Sequence, residues 1–188
     1  MRIVAGRFRG RSLVAPAGSN TRPTSDRARQ ALFDVLSHAD WAPPLVGARV
    51  IDLFAGSGAL GFEAISRGAG FGLFVETDEA ARGAIRDNVE ALGLFGETRV
   101  HRRDATDLGQ RPASAGGPFD LAFLDPPYRM GLGERALASL KAGGWLKPEA
   151  LIVLERAADE PAPTVAGFAL ADQRTWGAAG VWFLRYEG

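Results

Sequence analysis

The sequence predicts an α/β fold: a mostly parallel seven-stranded sheet with one antiparallel strand from a C-terminal hairpin, plus a small basic N-terminal β-hairpin. Three observations carry this expectation. From residue 49 onward, short apolar runs of strand length alternate with amphipathic stretches of helix length. A glycine-rich turn follows the first of these runs and opens a helical pattern. The last two strand-like runs have no helix-length segment between them and so form a hairpin.

In chain order, residues 2–5 and 11–14 are strand-like runs around Gly6-Arg7-Phe8-Arg9-Gly10, the basic hairpin. Residues 15–24 contain Pro16, Gly18, Asn20 and Pro23 and read as a loop. Thr24 or Ser25 can cap a helix with Asp26 in its first turn, and Ala28, Ala31, Leu32, Val35 and Leu36 recur at helical spacing. Pro43-Pro44 marks a linker. Strand 49–54, helix 58–67, strand 71–76, helix 78–93 and strand 98–102 follow, with Asp78 as a cap and Ile85, Val89 and Leu92 as an apolar stripe. After the polar loop 109–118 come strand 119–124, a proline turn, helix 132–141 and strand 150–155. Strands at about 167–171 and 180–185 close the chain. Repeats and low-complexity tracts are absent from the sequence, so residues 1–188 read as a single domain with residues 1–24 as its basic arm.

Bulk properties narrow the chemistry. The apolar share of 46% and charged share of 23% are ordinary for a soluble globular chain. No run approaches the roughly 20 apolar residues of a membrane span, and the amino terminus lacks a secretory apolar stretch, so a cytoplasmic protein is expected. Zero Cys rules out disulfides, thiolate metal sites and a cysteine nucleophile, including the one that carbon-5 pyrimidine methylation normally needs. The two His, at 38 and 101, fall late in a helix and late in a strand and read as structural; no metal site is expected. Net charge is zero, yet seven of the 22 basic residues lie in residues 1–30 against one of the 22 acids, Asp26. A basic end on an acidic body fits an arm for a polyanion, with Arg7, Arg9 and Arg11 as its contacts; a merely solvated arm is the alternative.

Two motifs carry the chemistry. Asp125-Pro126-Pro127-Tyr128 follows the apolar run 119–124, at the carboxyl end of a strand where open α/β sheets hold ligands. The prolines lack N–H groups and fix φ near −65°, so the chain leaves the sheet in a stiff extended turn. Such a turn presents a carboxylate, carbonyls and a flat ring to a planar group bearing an NH2; otherwise it is a strand-terminating turn with a surface Tyr. Upstream, Ala55-Gly56-Ser57-Gly58-Ala59-Leu60-Gly61 joins a strand to a helix, and the next strand ends in Glu76, twenty residues past Gly56. That order suits an anion or a close ligand at the turn and a carboxylate on ribose hydroxyls.

With Arg2-Ile3-Val4-Ala5-Gly6, Gly10-Arg11, Thr21-Arg22-Pro23-Thr24-Ser25-Asp26-Arg27, Ala31-Leu32-Phe33 and Asp52-Leu53-Phe54, these motifs resemble the Rossmann-like class I methyltransferases that use S-adenosylmethionine. Within them the chain is similar to the bacterial small-subunit (16S) rRNA guanine-N2 methyltransferases of the RsmD type. The resemblance implies S-adenosylmethionine as cofactor. It places Gly56, Ser57 and Gly58 by its methionine part, Asp52 near its ammonium, Glu76 on the ribose and Asp104 on the adenine amine. Asp104 can otherwise cap a helix before Ala105-Thr106; Arg22 and Thr24 would close over the site or serve loop and capping roles. Asp125, the Pro126 carbonyl and Tyr128 would engage the target amine and stack on its base. The implied partner is small-subunit rRNA within a 30S particle or assembly intermediate; no membrane partner is expected, and a monomer is the default. DNA adenine-N6 or protein glutamine methylation would share the cofactor half and the proline motif. A nicotinamide dehydrogenase would explain Gly56, Gly58, Gly61 and Glu76 but not Asp125 to Tyr128, and a non-catalytic RNA-binding module would not explain an intact Glu76 and Asp125.

Overall fold

Strands β1 (Arg49–Leu53), β2 (Phe71–Val75), β3 (Thr98–His101), β4 (Phe119–Leu124), β5 (Leu146–Ala157), β6 (Phe168–Trp176) and β7 (Ala179–Tyr186) form one sheet in the order β3-β2-β1-β4-β5-β7-β6. These are the coordinates of a computed structural model, which describes residues 1–18 and 25–188. Pairings from β3 through β5 are parallel, and β7 runs antiparallel to both β5 and β6. The expected seven-stranded sheet with its one reversed strand is therefore present. Because β1 pairs β2 on one side and β4 on the other, the order reverses there, which opens a crevice beyond the carboxyl ends of β1 and β4.

Helices α1 (Asp26–His38), α2 (Ala59–Ser66), α3 (Glu79–Leu92) and α4 (Leu132–Ala142) cover the two faces. Period-2 alternation decides which side chain goes where. Val50, Phe74, Leu121, Phe123, Leu151 and Val153 meet Leu32, Phe33, Phe62, Ile65, Ile85 and Val89 from α1, α2 and α3. Ile51, Leu73, Ala122, Leu124, Ile152 and Leu154 meet Ala136, Leu137 and Leu140 from α4, with Trp145. Ser25 accepts the Ala28 N–H and Asp78 that of Ala81, the two N-caps the sequence offered, and Gly93 ends α3 in the left-handed region. Among the described residues no helix is long and apolar enough to cross a membrane.

Differences from expectation cluster where polar residues sit in strands. β5 begins at Leu146 rather than 150: Leu146 pairs Phe119, then Lys147, Pro148 and Glu149 bulge out before Leu151 pairs Leu121. Pro148 has no N–H for the ladder, and Glu149 takes a positive φ of 65° to turn the chain back. β6 continues through Asp172-Gln173-Arg174-Thr175 to Trp176 because, as an edge strand paired only to β7, it tolerates polar side chains. A short 3-10 turn, Ala113–Ala115, interrupts the loop before β4.

The basic hairpin is present in reduced form. One bridge, Arg2↔Ser12, and backbone bonds from Ile3 N to Arg11 O (3.0 Å) and Gly10 N to Ile3 O (2.8 Å) close it. It lies docked on α2. Glu63, fully buried, accepts the N–H groups of Val4 (2.9 Å) and Ala5 (3.0 Å) and pairs with Arg67 (2.8 Å) and buried Arg29 (3.6 Å). Gly6 packs so tightly that a Cβ there would overlap the Ser66 backbone. Asn88 of α3 accepts from Val14 N (2.7 Å) and donates to Val14 O (3.0 Å) and Ser57 O (3.3 Å), tying the arm's end to the glycine turn.

Candidate active site

The first half of the site grows from the end of β1. Phe54 (φ 58°) and Gly56 (φ 55°) are both left-handed, so the chain reverses sharply before α2 begins. Gly58 precedes α2 with φ 79° and has no side chain to cap it. Asp52, two residues before the turn and only 2% exposed, supplies the acceptor instead, through the Gly61 N–H at 3.0 Å. Burial, reinforced by the charges of Asp125 and Glu76, raises the Asp52 carboxyl well above its ordinary range. At the tip of β2, Glu76 accepts the N–H groups of Gly56 (2.8 Å) and Asp78 (2.9 Å), which fixes its carboxylate beside the turn. A Cβ built on Gly56 would meet no atom within 4 Å, so the turn borders open space.

The second half stands at the tips of β4 and β5. Leu124 and Leu154 are register partners, so Asp125, just past β4, and Glu155, still within β5, stand side by side. Alternation past Phe123 and Val153 turns both toward α1. They line a cavity of about 540 Å³ with Pro126, Pro127 and Tyr128, the N-terminal half of α1 (Ala28, Leu32) with its cap Ser25, and the β6–β7 turn from Trp176. The Tyr128 hydroxyl donates to Glu155 Oε1 at 2.6 Å, which pins the ring at the cavity's edge. Burial together with the neighbouring Glu155 charge pushes Asp125 up to about 8. Burial also raises Glu155, partly offset by the Tyr128 hydrogen bond. The turn is braced from outside: Arg129 (φ 62°) pairs with Asp159 (2.8 Å), and Arg156 with Glu134 (2.6 Å) and Glu160 (3.2 Å).

The structure thus brings Asp52, Gly56, Ser57, Gly58 and Glu76 to one side of the crevice and Asp125, Pro126 and Tyr128 to the other. Asp104 is exposed and accepts from the Thr106 N–H (2.8 Å) and hydroxyl (2.7 Å) in a local turn; no helix begins there for it to cap. Those bonds lower its pKa. Arg22 and Thr24 lie outside the described residues. Of the arm's arginines, Arg7 pairs with Glu97 and Arg11 donates to the Ala91 carbonyl (2.7 Å), while Arg9 is exposed on the hairpin turn. Sequence reasoning missed Glu155 and Trp176. Glu155 was findable as the acid at the end of the expected strand 150–155; Trp176, in a polar stretch, gave no signal before the sheet order was known.

Comparison with known proteins adds an independent line. The family described as Conserved hypothetical protein 95 matches residues 1–185. The chain is similar to the Escherichia coli (strain K12) protein named Ribosomal RNA small subunit methyltransferase D, with 41% identity over 165 residues, 88% of this chain and 79% of that one. It is 34% identical over 189 residues, 100% of both chains, to the Bacillus subtilis (strain 168) protein named Putative rRNA methyltransferase YlbH. A solved structure described as putative methyltransferase yhhF from Escherichia coli superposes with a TM-score of 0.83 at 34% identity, covering 100% of this chain and 98% of that one.

Proposed function

The chain belongs to the Conserved hypothetical protein 95 family, alongside the small-subunit ribosomal RNA methyltransferases D, and on that premise we propose that it methylates the exocyclic N2 amine of a guanine in small-subunit rRNA. It is an S-adenosylmethionine-dependent methyltransferase acting on rRNA. Residues 1–188 act as a single methyltransferase domain, as a monomer on a 30S particle or assembly intermediate, with residues 1–24 as the RNA arm.

The residues present fit the cofactor. Three carboxylates, Asp52, Glu76 and Asp125, converge on the crevice, and the charges of Asp125 and Glu76 add to burial in raising Asp52. A ligand carrying positive charge relieves that repulsion. Glu76 spends part of its acceptor capacity on two N–H groups and keeps the rest for ribose hydroxyls. Gly56, Ser57 and Gly58 would hold the methionine part, Asp52 its ammonium, and Asp104 the adenine amine after breaking its local turn; Arg22 and Thr24 would close over the crevice. When bound, S-adenosylmethionine supplies an electrophilic methyl group on a positively charged sulfur.

The exocyclic amine of a base is a weak nucleophile because its lone pair is delocalised into the ring. Asp125 and the Pro126 carbonyl accept its hydrogens, favour the tetrahedral nitrogen and stabilise the charge that develops on it. In the free protein Asp125, at about 8, holds a proton near neutrality. A cation and incoming N–H donors both favour its ionised form, so binding switches it from donor to acceptor. Tyr128, tethered by Glu155, stacks on the base, which must be splayed out of its helix to enter. Arg7, Arg9 and Arg11 hold the RNA backbone, Arg9 without rearrangement and the other two by exchanging partners on the body.

The observation that carries this reading is the stiff Asp125-Pro126-Pro127-Tyr128 turn lining a cavity of about 540 Å³ at the strand tips. Incubation with methyl-labelled cofactor and, in parallel, small-subunit particles, naked rRNA, DNA and protein tests it. Label should appear in the particles and digest to N2-methylguanosine. Label in DNA adenine or protein glutamine instead would overturn it.

A further inference from the structure

We propose that Glu155 selects guanine at this site by accepting the ring N1–H of the target base while Asp125 accepts from the adjacent N2 amine. The inference rests on the proposed function and adds a specificity determinant to it. Leu124 and Leu154 pair in parallel register, so Asp125, just past β4, and Glu155, within β5, are neighbours on adjacent strands. Both line the same cavity and turn toward the same face. Arg156, the next residue, alternates to the other face, where it pairs with Glu134 (2.6 Å) and Glu160 (3.2 Å) and so does not neutralise Glu155. The Tyr128 hydroxyl takes one acceptor position on Oε1, of about four that a carboxylate carries.

Two carboxylates in a row make a row of acceptors, and base edges differ in what they offer it. Guanine presents N1–H beside the N2 amine, adjacent donors on one edge. Adenine and cytosine place a ring acceptor beside their amine, and uracil flanks its single N–H with two carbonyls. A ring nitrogen lone pair set against Glu155 faces a buried negative charge with no hydrogen bond to offset it, so those bases are rejected by repulsion as well as by lost contacts. Discrimination by such a paired contact is on the order of 10- to 100-fold. Glu155 thereby has two tasks, to hold the Tyr128 ring and to read the base edge, and they are separable.

Once the methylated position is mapped, particles assembled from semisynthetic rRNA carrying guanine or 2-aminopurine there provide the test. 2-Aminopurine keeps the reacting amine but presents a lone pair at N1. The ratio of kcat/KM for guanine over 2-aminopurine is the readout, because it does not depend on how much of a variant is folded. The unaltered protein should prefer guanine. Glu155→Gln, whose amide can donate to N1 or accept from N1–H, should narrow the ratio by about tenfold or more. Tyr128→Phe, which keeps the ring and loses the tether, should leave the ratio near its starting value. An unchanged ratio in Glu155→Gln, or an equal narrowing in Tyr128→Phe, would overturn the assignment while leaving guanine methylation intact. Failure of the unaltered protein to methylate the guanine particle would instead bring down the functional reading itself.

Discussion

Gly58→Ala tests the cofactor turn in two independent ways. At φ 79° an L side chain is strained, by about 1–2 kcal/mol in the left-handed region. The new methyl would also stand 2.7 Å from Phe62 Cε2 and 3.0 Å from Phe74 Cε1. Neither ring can yield easily, since both are fully buried and their centroids lie 4.6 Å apart. Forcing a methyl into such a site costs about 1–3 kcal/mol. The sum, about 2–5 kcal/mol, corresponds to a melting temperature lower by about 5–15 °C for a chain of this size. Relief by shifting the turn would move Gly56 off Glu76, so cofactor affinity should fall by about 10²-fold, as expected when binding groups move by an ångström. Gly83→Ala is the control: this α3 glycine has no atom within 4 Å of its Cβ position, and the substitution should stabilise by about 0.5–1 kcal/mol. Scanning calorimetry and titration with S-adenosylhomocysteine read both effects. A Gly58→Ala protein that melts with the parent and binds the cofactor product equally well would refute the packing argument.

Other perturbations probe the remaining parts. Asp125→Ala should retain cofactor binding while losing about 10²-fold or more in turnover, measured as labelled methyl transfer. The kcat/KM profile should rise as pH passes through about 8, since the acceptor form of Asp125 is the ionised one; a flat profile from pH 6 to 9 would contradict this. Stability should move oppositely. A carboxyl whose pKa rises from 3.8 to about 8 on folding contributes stability that is intact below 3.8 and fades as pH climbs toward 8, so the parent should melt lower at pH 9 than at pH 6 and Asp125→Asn should reduce that difference. Glu63→Gln, which weakens the ion pairs of Arg67 and of buried Arg29 while Asp26 still holds Arg29, should cost about 1–3 kcal/mol in denaturant unfolding and loosen the arm. Neutralising Arg9 alone should weaken binding to particles and reduce the salt slope by about one unit, whereas an unchanged slope would assign the hairpin turn to solvent.

Much of this was legible in the chain because local signals and sheet order agree. The glycine turn, Glu76 and the Asp125 turn each end a strand whose apolar run is unambiguous, and parallel topology carries all three tips to one edge of the sheet. The Ser25 and Asp78 caps were readable for the same local reason. What stayed hidden depended on long-range pairing. The polar half of β6 is strand only because β7 pairs with it, and Trp176 reaches the cavity only through that hairpin. Glu155 gains meaning from Leu154 lying opposite Leu124, a register no spacing along the chain displays. In sequence the arm's arginines read as contacts for a polyanion, but Arg7 and Arg11 also have partners on the body that only the folded chain reveals.

A crystal structure with S-adenosylhomocysteine and a guanosine-bearing fragment of the substrate RNA addresses the central claim most directly. The account expects the guanine N2 within hydrogen-bonding distance of an Asp125 carboxylate oxygen and the Pro126 carbonyl, its ring against Tyr128, and the cofactor sulfur on the open side of that nitrogen. A base bound elsewhere, or an Asp125 turned away from the sulfur, would contradict it.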